Sequence, residues 1–275
     1  MTRLSEHKSH ESVTALLYGA SGSGKSFLAA SVGSDTLIVT PSNGLATIKS
    51  KLFRELCPGI NPYIEVNDED PIPKSAQGFD RISDIIDSYL EKKRDEIKNI
   101  VVEDATSMRR MALMKGLELN QKLNRSQTLK QSTSKEVIVP TVQDYGIEMN
   151  LVDQFMRYYT THCKALGINF IVTAHERFTF GKPEGLGQQP PLLSIRPGFT
   201  GQTFPEDITG LFDLTWHTEM KGAANRTFYQ IRTAGDSVLS AKTRYGGLFP
   251  SLIETFHPMS HIIKCIETET PLKTK

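Results

Sequence analysis

Eight consecutive residues, Gly19-Ala20-Ser21-Gly22-Ser23-Gly24-Lys25-Ser26, constrain this chain more than any other stretch. They satisfy G-x-x-x-x-G-K-S, a pattern that typical residue frequencies produce by chance on the order of 1% of the time in a chain of this length. The run before it, residues 12–18 (SVTALLY), is rich in strand formers, and KSFLAASV after it suits a helix. The local expectation is therefore strand, loop, helix. Glycines let successive backbone N–H groups face inward around an anion, and a helix start adds favourable dipole charge. Lys25 is expected to bridge β- and γ-phosphates, and Ser26 to place its hydroxyl on Mg²⁺.

Such a loop needs a carboxylate at the end of a nearby buried strand. Ile100-Val101-Val102-Glu103-Asp104 supplies two. Side chains of successive strand residues point to opposite faces, so a regular strand presents only one acid to the metal. Asp104 is the expected metal acid, with Glu103 polarising water or making an outer contact. The apolar run 168–174 (INFIVTA) ends at His175, a candidate sensor of the terminal phosphate. Lys242 and Arg244 alternate on a late strand, where paired cations can neutralise charge developing on phosphate.

The rest of the chain repeats the βα unit. Short apolar runs at 36–40 and 63–66 read as strands, 79–97 as an amphipathic helix, and 100–102 as a buried strand. Asp144 is placed to cap a long helix reaching Leu166. Residues 105–140 are polar and carry Arg109, Arg110, Lys115, Lys122, Arg125, Lys130 and Lys135 against Glu118 and Glu136, a local basic patch. Residues 176–210 are rich in Gly, Pro and Gln, and read as a long functional loop. Three short strands with hairpin-like spacing follow, over 211–217, 227–233 and 237–244.

Composition narrows the class. Of 275 residues, 38% are hydrophobic and 23% charged, enough for a substantial core. Lys plus Arg number 32 against 31 acids, so a polyanion would be held by a local patch rather than a global field. No run approaches the ~20 apolar residues of a membrane span, the first residues lack a secretory signal, and Cys57, Cys163 and Cys265 form no C-x-x-C pair. A cytoplasmic protein with no membrane partner, no disulfide framework and no zinc site is the expectation. No N-K-x-D guanine-reading motif occurs.

Taken in order, GASGSGKS, IVVEDATS (100–107), QDYG (143–146), IVTAHER (171–177), GLFDL (210–214) and AKTRYG (241–246) resemble the RecA-like P-loop ATPases. Within them the likeness is to core-only phage nucleotide-binding ATPases related to recombinases and annealing proteins. The likeness runs from about residue 13 to 250. It implies an α/β fold: a RecA-like P-loop NTPase core with a mostly parallel central sheet flanked by helices and a C-terminal antiparallel strand extension. One ATPase domain at 13–250 would sit between a polar tail, 1–12, and an extension, 251–275. It implies ATP with Mg²⁺, Gly19, Ala20, Ser21, Gly22, Ser23, Gly24, Lys25 and Ser26 as nucleotide contacts, and Ser26 with Asp104 at the metal. Lys25, Glu103, Asp104, His175, Lys242 and Arg244 would be the catalytic set, the last two reaching into a neighbouring copy of a homo-oligomeric ring or filament.

The family's glutamate after the second strand is missing; Ser42 stands near its place, which shifts water activation toward Glu103 or slows turnover. Single-stranded DNA is the implied partner, held by mobile segments at 109–135 and 177–204, the latter with Phe178, Phe180, Lys182, Arg196 and Phe199. The implied role is recombination, strand annealing or replication. A nucleotide-gated DNA-binding or assembly module with little turnover, and a P-loop small-molecule kinase, are the alternatives.

Overall fold

A computed structural model describes residues 12–41, 44–69, 76–122, 127–130, 136–183, 188–201, 203–223 and 226–273. The first βα unit is β1 (Thr14–Gly19) and α1 (Lys25–Ala30), followed by β2 (Thr36–Thr40), α2 (Leu45–Ile48), α3 (Lys51–Leu56) and β3 (Tyr63–Val66). Next come α4 (Gly78–Lys92), β4 (Asn99–Val102), α5 (Ala105–Lys122), the hairpin β5 (Gln127–Lys130) and β6 (Glu136–Val139), and α6 (Val142–Ala165). The second half holds β7 (Asn169–Phe180), β8 (Leu192–Pro197), α7 (Phe204–Leu211), β9 (Leu214–Ala223), β10 (Arg226–Arg232), β11 (Lys242–Thr243), β12 (Leu252–Ile253) and α8 (Met259–Glu267).

Every residue of β1, β2 and β4 is buried, as strands covered on both faces require. The sheet runs β12-β10-β9-β1-β7-β4-β2-β3, with β8 on β7 and β11 on β9. From β9 to β3 all neighbours are parallel, while β10, β11, β12 and β8 pair antiparallel. This is the expected mostly parallel sheet with an antiparallel C-terminal part. Strand alternation sends Leu16, Tyr18, Val102 and Val172 into one core with α4, α5 and α6. Leu17, Val101, Ile171 and Trp216 enter the other with α1 and α8. Because β7 lies between β1 and β4, the phosphate loop and the acids after β4 reach the same sheet edge from strands that are not neighbours.

Strands 36–40 and 63–66 have the expected bounds. The amphipathic helix stops at Lys92, with a separate 3-10 turn at Arg94–Glu96. Residues 237–244 form only β11 and a bridge from Leu239 to Ile195. Asp144 is not the N-cap of α6. Thr141 is, and Asp144, three residues on, accepts bonds from the Thr141 amide and hydroxyl at 2.6 and 2.7 Å. Among the described residues no helix is long and apolar enough to cross a membrane.

Two larger expectations are corrected. The basic stretch from 105 is not a mobile arm but begins with the 18-residue α5, whose Met108, Met111 and Ala112 are buried at helical spacing. Its cations meet acids of the same chain. Arg109 Nε donates to Glu148 Oε1 and its Nη1 to the Gly198 carbonyl at 2.6 Å; Lys115 pairs with Asp80 at 2.6 Å and Arg110 with Glu69 at 3.5 Å. Arg125 and Lys135 lie outside the described residues, as do the side chains of Lys122 and Lys130. Residues 176–210 are likewise not one loop. β7 continues to Phe180 and pairs with β8 from Glu176↔Pro197 onward, and α7 follows. Phe199 and Phe204 are buried in the core, Arg177 donates to the Phe199 carbonyl at 3.1 Å, and Arg196 pairs with Glu206 at 2.9 Å.

Candidate functional site

β1 delivers the loop and α1 receives it. Gly22 and Gly24 have φ of 77° and 88°, the left-handed region that favours glycine, and Gly24 is the N-cap of α1. Gly19 is required for a different reason. A β-carbon there would collide with the Thr218 carbonyl of β9 and lie within 2.8 Å of the Ser23 and Thr218 hydroxyls. Within the bend the Ser23 amide donates to the Ala20 carbonyl at 3.2 Å, and Lys25 Nζ donates to the same oxygen at 3.0 Å. Lys25 is only 5% exposed. Burial holds its ammonium below the ordinary lysine range, against the opposing pull of Glu103, Asp104 and Glu176. A buried cation at a glycine-rich bend that opens a helix suits an anion.

The two acids after β4 diverge. Glu103, 9% exposed, turns toward the loop and faces the Ser26 hydroxyl. Burial pushes its carboxyl up to about 7; the Ser26 hydroxyl and the Lys25 charge oppose that, and Asp104 adds to it. Its Oε2 is buried without a hydrogen-bond partner. Asp104 instead caps α5, accepting from the Ser107 amide at 2.6 Å, and its other oxygen lies 3.6 Å from His175 Nε2. The acid that meets Ser26 is thus Glu103, whereas sequence reasoning favoured Asp104. His175 lies opposite Gly19 in the β1–β7 register, and its amide donates to Thr106 Oγ1 at 3.2 Å. Burial first, then Lys25 and Arg110, hold its imidazole below the ordinary range, against Asp104 and Glu176.

An unpartnered buried carboxylate oxygen beside a serine hydroxyl fits a hard cation that takes oxygen ligands. Among the described residues no group of three or more His, Cys, Asp and Glu could hold a metal ion. Mg²⁺ uses few protein ligands and relies on substrate phosphates, and the oxygens of Ser26 and Glu103 are donors of the kind it takes.

Lys242 and Arg244 are not brought to the loop of their own chain. Lys242 stands opposite Thr215, which pairs with Leu16, three positions and about 10 Å along the strand from Gly19. Arg244 is engaged: Nη1 donates to Asp213 at 3.1 Å and Nη2 to the Gly210 carbonyl at 2.8 Å. Asp213, 2% exposed, also accepts from the Thr14 amide and hydroxyl and from Lys164, at 2.9 to 3.0 Å. Ser42 lies outside the described residues.

Sequence reasoning missed three features. Thr218 shares a 2.7 Å hydrogen bond with Ser23. His217, one position back, bonds Glu176 at 2.7 Å on the opposite face of the sheet. Beside the loop lies a cavity of about 320 Å³, walled by Phe27, Leu52, Leu56, Tyr229, Ile231 and Phe256. Its walls come from α1, α3, β10 and the turn after β12, segments that only the folded sheet brings together, so no local sequence signal marks it. Its continuity with Gly22–Ser26 gives a flat apolar ring a place next to the phosphate loop.

The sequence matches the AAA domain family model over residues 11–245. Among solved structures, the KaiC-like protein PH0186 from the hyperthermophilic archaeon Pyrococcus horikoshii OT3 is similar over 80% of this chain and 77% of that one. The identity is 11% and the TM-score 0.40. No curated protein matches the sequence.

Proposed function

Since the chain belongs to the AAA domain family, we propose that it binds ATP with Mg²⁺ at residues 19–26, hydrolyses it, and uses the bound state to control a contact with single-stranded DNA. The observation that carries the nucleotide part is the convergence of buried Lys25 and the unpartnered Glu103 oxygen on the glycine-rich bend. Gly19–Ser26 cradle the triphosphate, Lys25 meets its β- and γ-oxygens, and the ring lies in the cavity walled by Tyr229 and Phe256. Mg²⁺, when bound, neutralises charge on the phosphate oxygens. Ser26 and Glu103 hold its side of the site. Asp104, fixed by the Ser107 amide, faces His175, and the two orient water at the terminal phosphate.

The DNA part is supported by the strand that carries His175. β7 runs directly from the phosphate end into the hairpin with β8, where Phe178 and Phe180 are 45% and 55% exposed and stacked at 6.3 Å. Exposed aromatics on a hairpin accept bases of any sequence. The likeness to core-only phage ATPases supports recombination or strand annealing as the setting. A second copy of the chain lending Lys242 to the triphosphate is the oligomeric part of the proposal; Arg244, tied to Asp213, serves the fold. Replacing Phe178 and Phe180 together by Ala is expected to weaken binding of an oligothymidine at least tenfold while ATP affinity stays within about twofold. Fluorescence anisotropy measures it, and an unchanged DNA affinity removes the hairpin from the proposal.

A nucleotide-gated module with slow turnover is the second reading, favoured by Thr40-Pro41-Ser42-Asn43-Gly44, which offers no carboxylate after β2. Single-turnover hydrolysis with DNA present separates the two.

A further inference from the structure

We infer that Thr218, a β9 residue outside the phosphate loop, is a positioning residue that sets the shape of the anion cradle through Ser23. The inference rests on residues 19–26 being the triphosphate site and deepens that reading.

Thr218 stands opposite Gly19 in the parallel β1–β9 register and opposite Ile231 on β10, so its backbone is fixed from both sides. Its hydroxyl donates to the Tyr18 carbonyl at 3.3 Å. A hydroxyl has one proton to give, so the 2.7 Å bond between Thr218 and Ser23 is donated by Ser23. The result is a directed chain, Ser23 to Thr218 to Tyr18, linking the middle of the bend to the end of the strand that delivers it. Ser23 is 1% exposed and Thr218 2%, so bulk water does not stand in for either partner. The same residue makes Gly19 obligatory, since its carbonyl occupies the space of a β-carbon there.

Ser23 is the residue between the two left-handed glycines, Gly22 and Gly24. Holding its side chain inward fixes the peptide planes on both sides, and with them the directions of the N–H groups that must converge on phosphate. A valine at 218 keeps the volume and removes the acceptor, leaving a buried hydroxyl without a partner. The bend can then relieve that cost by turning Ser23 outward, which spreads the amides. One position back, His217 is held by Glu176 at 2.7 Å on the other face, so β9 is pinned where Thr218 projects.

The test compares wild type, Thr218→Val, Thr218→Ser and Ser23→Ala by equilibrium titration with a fluorescent ATP analogue and Mg²⁺, with the hydrolysis rate at saturating nucleotide as a second readout. Thr218→Val and Ser23→Ala are expected to raise Kd about tenfold, Thr218→Ser to stay within about twofold of wild type, and the double variant Ser23→Ala with Thr218→Val to be no worse than either single. The saturating rate of the Thr218 variants is expected to change less than about twofold, since Thr218 shapes the cradle through Ser23 and does not touch the reacting atoms. Ser23→Ala keeps the test open if the valine variant fails to fold. Wild-type affinity in both single variants, or a serine variant as weak as the valine one, overturns the inference. Wild type that does not bind the analogue overturns the nucleotide reading itself and this inference with it.

Discussion

Replacement of Glu103 by Gln lowers ATP hydrolysis by about a hundredfold or more while the fold is retained, because the amide keeps the volume but removes the charge that faces Ser26 and Lys25. The same carboxyl gives a pH signature. Burial pushes it up to about 7, above its ordinary value, so its ionisation opposes folding. In the nucleotide-free protein its contribution to stability is intact below the ordinary carboxylate range and is lost as the pH rises through about 7. Nucleotide binding with Mg²⁺ has the opposite slope, since the cation needs the ionised form; affinity weakens as the pH falls below about 7. Glu103→Gln flattens both profiles. Thermal unfolding and ATP titration between pH 5.5 and 8.5 read them, and a variant that hydrolyses ATP at the wild-type rate, or keeps both slopes, contradicts the role.

The second large effect is structural. Asp213→Ala leaves the Thr14 amide and hydroxyl, Lys164 and Arg244 without their common acceptor at a buried position. Leaving the buried Thr14 donors unsatisfied costs about 1 to 3 kcal/mol, while Lys164 and Arg244, each half exposed, can turn to water. For a chain of this length that lowers the unfolding temperature by roughly 5 °C. Arg244→Ala is expected to lose only part of this, since Lys164 and Thr14 keep Asp213 satisfied. A calorimetric scan with Asp213→Ala near the wild-type midpoint rules out the hub. An Arg244→Ala protein of full stability with lost ATPase activity would return Arg244 to a role at a neighbouring copy's site.

The parts of the molecule legible in the sequence are those that a local pattern determines. GASGSGKS forces a loop because its glycines and Lys-Ser have one compatible geometry, and the short apolar runs 36–40 and 63–66 read as strands because no helix could bury them. What escaped depends on partners distant in sequence. The cations of α5 read as an open patch, since Glu148, Asp80 and Glu69, which engage Arg109, Lys115 and Arg110, lie on other segments. Strand β7 beyond His175 read as loop because its edge pairing with β8 crosses a Gly- and Pro-rich tip. That Glu103 and not Asp104 faces Ser26 was hidden for a subtler reason. Alternation says that the two acids face opposite ways, but which one faces the loop is set by the register of β4, which the sequence of four strand residues does not reveal. Thr218 could not be found from the loop at all, being 195 positions from Ser23.

The account stands on a triphosphate held by the bend at residues 19–26, and isothermal titration of the nucleotide-free protein with ATP and Mg²⁺ tests that most directly. The wild-type protein is expected to bind one equivalent saturably, and Lys25→Ala, which removes the buried cation while leaving Phe27, Tyr229 and Phe256 in place, to lose measurable binding under the same conditions. Equal heats from both proteins, or none from wild type, would contradict it.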